Sequence, residues 1–70
     1  MPAFEFDPAA VREVRRERGV TQVELAGAID RSHTAVSMYE NGRSTPPVET
    51  LATIASVLGA PMERFIKAVA

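Results

Sequence analysis

The side chains with most to offer chemically in this 70-residue chain lie between Ser32 and Arg43. On a helix advancing about 100° per residue, with His33 taken as zero, Ser37 falls at about 40°, Thr34 at about 100° and Met38 at about 140°. Val36 and Tyr39 fall on the other side, at about 300° and 240°. One face thus carries an imidazole, two hydroxyls and a thioether, opposite an apolar face. Donors, acceptors and a flexible apolar tip are what the edges of base pairs ask for in a major groove. From this helix alone, a solvated surface of small polar residues is an equally good reading.

Other chemistries are poorly served. The chain has one histidine and no cysteine. Disulfides, thiolate metal sites and cysteine nucleophiles are therefore unavailable, and a lone imidazole anchors no metal cluster. No triad-like or metal-ligand set exists to build an active site, so no enzyme, cofactor, metal or small-molecule ligand is expected. No apolar run approaches the roughly 18 residues of a membrane span, and MPAFEF lacks the basic-then-apolar order of a secretory signal. The expected setting is cytoplasmic, with no membrane partner. Hydrophobic residues make up 46% and charged ones 24%, ordinary for a folded chain. At this length the core is thin.

The elements that must hold the polar face can be read from their punctuation. Asp7-Pro8 marks a helix start, Val11 and Val14 form its apolar stripe, and Gly19 stops it. Thr21 with Glu24 three residues on has capping-box spacing, and Leu25, Ala26 and Ile29 supply a buried face. After the short link Asp30-Arg31, Ser32 caps a third helix reaching Tyr39 or Glu40, ended by Asn41-Gly42. Arg43-Ser44-Thr45-Pro46-Pro47 cannot continue it. Val48, Leu51, Ile54, Ala55 and Leu58 recur at helical spacing up to Gly59. A fifth helix is expected from Pro61, carrying Met62, Phe65, Ile66 and Val69. Phe4-Glu5-Phe6 is the only strand candidate. Two short helices joined by a tight turn inside a small bundle suggest a helix-turn-helix unit.

From Val11 to Met62 the chain resembles the phage-repressor (Cro/repressor, or XRE) helix-turn-helix family. The resemblance rests on Arg15, Gly19-Val20-Thr21-Gln22-Val23-Glu24-Leu25-Ala26, Ser32 through Glu40-Asn41-Gly42-Arg43, Pro46, and Leu51-Ala52 to Leu58-Gly59. It covers about three quarters of the chain; each piece is loose, but their order and short gaps are specific. It implies an all-α, five-helix repressor-like bundle, residues 1–70 forming a single helix-turn-helix DNA-binding domain, with helices 2 and 3 as the reading unit. It further implies base-edge contacts from His33, Thr34 and Met38, with Ser37 between them. Phosphate contacts are implied for Gln22 at the start of the second helix and for Asn41 and Arg43 after the third. Ser32 would cap the third helix and reach a phosphate. Arg15 and Glu40 would pair beneath the unit as a structural ion pair.

Three positions depart from the family pattern. Asp30 stands where glycine is usual and must tolerate a left-handed backbone. Arg31 replaces an apolar residue. Pro47 replaces a helix cap, leaving Thr45 to cap the fourth helix.

Charge argues in the other direction. Eight basic against nine acidic residues give −1, where nucleic-acid binders are usually basic. Yet between Arg31 and Pro46 the only acid is Glu40, expected to be paired, against Arg31 and Arg43. Few phosphates per monomer would be neutralised, so binding calls for a homodimer on a two-fold, palindromic site. Phe65, Ile66, Val69, Phe4 and Phe6 are the candidate interface, with Phe65 and one amino-terminal phenylalanine also read as core closers. The expected function is a sequence-specific transcriptional regulator acting on double-stranded DNA. The alternative is a protein-interaction module on the same fold, such as the antitoxin or adaptor of a two-protein system.

Overall fold

A computed structural model of the chain describes residues 3–69; Met1, Pro2 and Ala70, part of the single domain read from the sequence, lie outside the described residues. Four α-helices form the body: α1 (Pro8–Glu17), α2 (Gln22–Ala28), α3 (His33–Glu40) and α4 (Val48–Leu58). Strands β1 (Ala3–Phe6) and β2 (Ile66–Val69) pair antiparallel, with Phe4 opposite Ala68 and Phe6 opposite Ile66.

The punctuation read from the sequence does its work locally. The Thr21 hydroxyl accepts from the Glu24 N–H at 3.1 Å while the Glu24 carboxylate accepts from the Thr21 N–H at 2.9 Å. These bonds hold the Glu24 carboxyl below the ordinary glutamate range, the Thr21 backbone contact contributing most. Ser32 Oγ accepts from the Ala35 N–H at 3.0 Å and starts α3. Asp30 takes φ 56°, the left-handed turn its position requires, and the Arg31 N–H returns to the Ala26 carbonyl at 3.0 Å. Gly42 needs to be glycine for its backbone, with φ 74°; a Cβ there would meet Pro8 Cγ at 3.4 Å, an ordinary contact.

Val11 and Val14 of α1, Leu25 of α2, Val36 of α3, Ile54 and Leu58 of α4, and Phe65 are fully buried together. Two caps differ from expectation. Asp7 occupies the cap position of α1 without a side-chain cap bond, its N–H donating to the Phe65 carbonyl at 2.8 Å instead. Thr45 does not cap α4, whose cap position is held by Pro47 with no side-chain bond.

The expected fifth helix is replaced by a single 3₁₀ turn (Met62–Phe65) followed by β2. Phe65, Ile66 and Val69 have helical spacing, but so short an isolated helix is marginal. The strand Ala3–Phe6 offers Ile66–Val69 an antiparallel partner over four residue pairs, and pairing wins over periodicity. The architecture is thus four helices plus a two-stranded ribbon joining the two ends of the described chain. Lys67 reaches Glu5 across that ribbon at 3.8 Å. Val48, counted in the apolar stripe of α4, is 74% exposed.

The ribbon also sorts the candidate interface residues. Phe65 is completely buried in the protomer's own core and is not available for a partner. Phe6 is half-buried against the core and Val69 is half-buried, whereas Phe4 is 63% and Ile66 37% exposed. Phe65→Ala is expected to lower stability by about 3–5 kcal/mol through the cavity it leaves. Phe4→Ala should shift it by no more than about 0.5 kcal/mol. Urea unfolding of both variants at low protein concentration checks the contrast.

Candidate nucleic-acid interface

The reading unit is assembled from two capped helices. α2 and α3 pack against each other through Leu25, Ala26, Ile29 and Val36, all buried. With Val36, Tyr39 and Glu40 fixed inward on α3, the helical repeat turns His33, Thr34 and Met38 outward, and all three are exposed. Ser37 is half-buried, and its Oγ accepts from Asn41 Nδ2 at 3.4 Å. The four candidate base-reading residues therefore share one face, as the angular arithmetic requires. Asn41 and Arg43 are exposed just beyond α3, and Ser32 is exposed at its start. Gln22 is half-buried at the first position of α2, whose leading N–H groups have no intrahelical acceptor.

Beneath this face lies the Arg15–Glu40 pair. Arg15 Nε donates to Glu40 Oε2 at 2.6 Å and Nη2 donates to Oε1 at 2.9 Å, a two-pronged contact. Arg15 Nη1 donates to the Val20 carbonyl at 2.9 Å. The two side chains are 9% and 1% exposed. Burial is the largest influence on the Glu40 carboxyl and pushes its pKa up. Bonds from Arg15 and Gln22, with the charges of Arg15 and Arg12, together outweigh it and leave the group below the ordinary glutamate range. On Arg15, the bond to Glu40 outweighs burial and raises the pKa.

Two features escaped the sequence reading. Gln22 Nε2 donates to Glu40 Oε1 at 3.0 Å, and Gln22 Oε1 lies 2.9 Å from His33 Nε2. Gln22 and His33, read as separate phosphate and base contacts, are bonded to each other. The available signal was positional: both residues open the helices that meet in the turn. Arg12, close enough for its charge to act on Glu40, was likewise passed over. Arg31 reaches across to α4, where its Nη2 donates to Thr50 Oγ1 at 3.3 Å.

Among the described residues no group of histidine, cysteine and carboxylate side chains is arranged to hold a metal ion. No helix is long and apolar enough to cross a membrane.

Comparison with known proteins bears on the family and the fold. The sequence profile of the family described as "Helix-turn-helix" (HTH_3) matches residues 11–65. The HTH-type transcriptional regulator DdrOP3 of Deinococcus deserti is 37% identical over 59 residues, spanning 84% of this chain and 46% of the relative. The chain spans about half the length of the curated relatives it matches, 46% and 56% for the first two. The clp gene regulator ClgR of C. glutamicum superimposes with a TM-score of 0.76 at 39% identity, over 80% of this chain and 73% of that one. The P22 c2 repressor, solved in complex with a synthetic operator, shares the fold with a TM-score of 0.77 at 20% identity, over 84% of this chain and 89% of its own.

Removing the Glu40 charge strands Arg15, and Glu40→Gln is expected to cost about 3–5 kcal/mol at pH 7. Because the folded-state pKa of Glu40 is depressed, its contribution is present above the unfolded value of about 4.3 and is lost as pH falls through the lower folded value. The stability gap between wild type and Glu40→Gln should therefore narrow between pH 7 and pH 3, as read by denaturant unfolding at both.

Proposed function

The chain belongs to the helix-turn-helix family, and from that premise we propose that it is a sequence-specific transcriptional regulator binding a palindromic DNA operator as a homodimer. The observation that carries this reading is the shared outward face of α3, with His33, Thr34 and Met38 exposed at its first two turns. An α-helix held proud of its body fits the major groove, and residues at its start go deepest. His33, Thr34, Ser37 and Met38 read base edges. Gln22, Ser32, Asn41 and Arg43 fix the helix on the phosphate backbone, where N–H groups at helix starts favour anions.

Affinity then depends on doubling. Each protomer brings few cations to the DNA, and the free energy from released counterions scales with the number of phosphates neutralised. Two protomers on half-sites about one DNA turn apart restore it. Phe4 and Ile66, the exposed apolar residues of the ribbon, are the interface this reading assigns. The cytoplasm is its place of action. A protein-interaction role on the same fold makes the opposite prediction: a stable heteromeric partner and no salt-sensitive DNA binding.

Selection from a random DNA pool at two salt concentrations tests the function directly. A two-fold symmetric consensus is expected, with binding falling steeply as salt rises. His33→Ala and Thr34→Ala should each erase preference at one base pair per half-site, a change of about 1–3 kcal/mol. Arg43→Ala should weaken all sequences alike and reduce the log–log salt slope by about one. An unchanged consensus in both α3 variants defeats the reading. Separately, Phe4→Asp should shift sedimentation from dimer to monomer while leaving the thermal melt of the monomer intact.

A further inference from the structure

The polar chain from Arg15 to His33 decides more than position. Glu40 is a buried carboxylate, so both of its oxygens can only accept. Arg15 occupies both, and the remaining approach to Oε1 is filled by Gln22 Nε2 at 3.0 Å. The Gln22 amide therefore has one permitted orientation: flipped, its oxygen would face the carboxylate oxygen. In the permitted orientation Gln22 Oε1, an acceptor only, lies 2.9 Å from His33 Nε2. That nitrogen must carry the hydrogen, in the neutral ring as in the charged one.

We propose that Glu40 and Gln22 are positioning residues for base readout: they fix His33 as the Nε2–H tautomer and leave Nδ1 as the ring nitrogen free to accept from DNA. The inference rests on the proposed DNA-reading function and names the chemistry of one contact within it. A bare ring nitrogen pairs with an amino group, and in the major groove only adenine N6 and cytosine N4 supply one. Guanine presents two acceptors there and repels it. Each Watson–Crick pair holds one such amino group, so a neutral His33 selects the strand and position at which that group stands, and the selection is set by a carboxylate buried in the protein. The second N–H of Gln22 Nε2 is not needed by this chain of bonds and is free for a phosphate. One amide then ties the hold on the backbone to the state of the reading ring.

The chain has one histidine, so its ring nitrogens can be observed without ambiguity. Two-bond proton–nitrogen correlation spectra of uniformly labelled protein at pH 8.5, without DNA, are expected to show His33 in a single Nε2–H tautomer. Gln22→Leu should release the ring to mixed tautomers. Gln22→Lys can still donate to Glu40 but offers the ring no acceptor, so it should do the same and serves if the leucine variant does not fold. With DNA at the same pH, replacing adenine by purine, or cytosine by its 4-deamino analogue, at the base pair whose preference His33→Ala erases should weaken wild-type binding and leave His33→Ala unaffected, whereas a 7-deazapurine there should change neither. Gln22→Leu should lower that preference about fivefold or more, leaving the pair read by Thr34 unchanged. Mixed tautomers in the wild type, or wild-type binding that depends on the purine N7 acceptor and not on the exocyclic amino group at that pair, overturn the inference while the regulator function stands. A fixed tautomer with no sequence-selective binding overturns the function, and the base preference with it.

Discussion

The reading unit hangs on a charged contact almost closed to water. Arg15 and Glu40 come from α1 and from the last residue of α3, 25 residues apart. Removing two charges from water is expensive, and their attraction offsets the cost only when geometry is good and the remaining donors and acceptors are filled. Here they are filled: Arg15 also bonds the Val20 carbonyl just before α2, and Glu40 also takes Gln22 at the start of α2. Among the described residues no buried side-chain polar atom is left without a partner. An apolar pair of similar volume could supply comparable stability but no direction. The ion pair ties α1, the entry to α2 and the exit from α3 to a single point, and so fixes the angle at which α3 projects.

How much of this was legible depends on the range of the information. Gly19, Thr21 with Glu24, Ser32, Asn41-Gly42 and Gly59 act on the backbone within a few residues, and each helix boundary they mark is where the structure has it. Asp30 in its left-handed turn belongs to the same class. The pairing of Arg15 with Glu40 is long-range, and it became readable only through resemblance to a family in which those positions meet. The end of the chain had no such guide. Ile66 and Val69 carry helix-like spacing, and only the presence of a partner strand about sixty residues earlier makes them extended. Val48 fits the apolar period of α4 yet sits in its first turn, beyond the edge of the thin core. The Gln22–His33 bond depends on side-chain reach across the turn, which no periodicity encodes.

The acidic balance of the chain loses its force once charges are placed. Lys67 with Glu5, and Arg64 with Glu17, pair at 3.8 Å and 3.3 Å on residues outside α2 and α3. Exposed pairs of this kind contribute little to stability, but they cancel charge locally. Glu40 is buried against Arg15, so the one acid of α3 presents no free charge to solvent, and the exposed acids Glu24 and Asp30 stand on α2 and in the turn. A net charge of −1 therefore describes the molecule as a whole and not the face proposed to meet DNA.

A sparse supply of cations has a consequence for selectivity as well as affinity. Binding to arbitrary DNA comes almost wholly from phosphate neutralisation, and both specific and non-specific binding fall together as that term shrinks. What separates them is the contribution of base edges, on the proposed reading from an imidazole, hydroxyls and a thioether. Such groups add nothing on a sequence they do not match and lose about 1–3 kcal/mol at each mismatch. On the proposed reading, a protein built this way would bind the wrong sequence weakly and depend on a second protomer to bind the right one well. Selectivity then becomes a property of how rigidly those few side chains are held, and for His33 the proposed hold begins at the buried carboxylate bonded to Gln22.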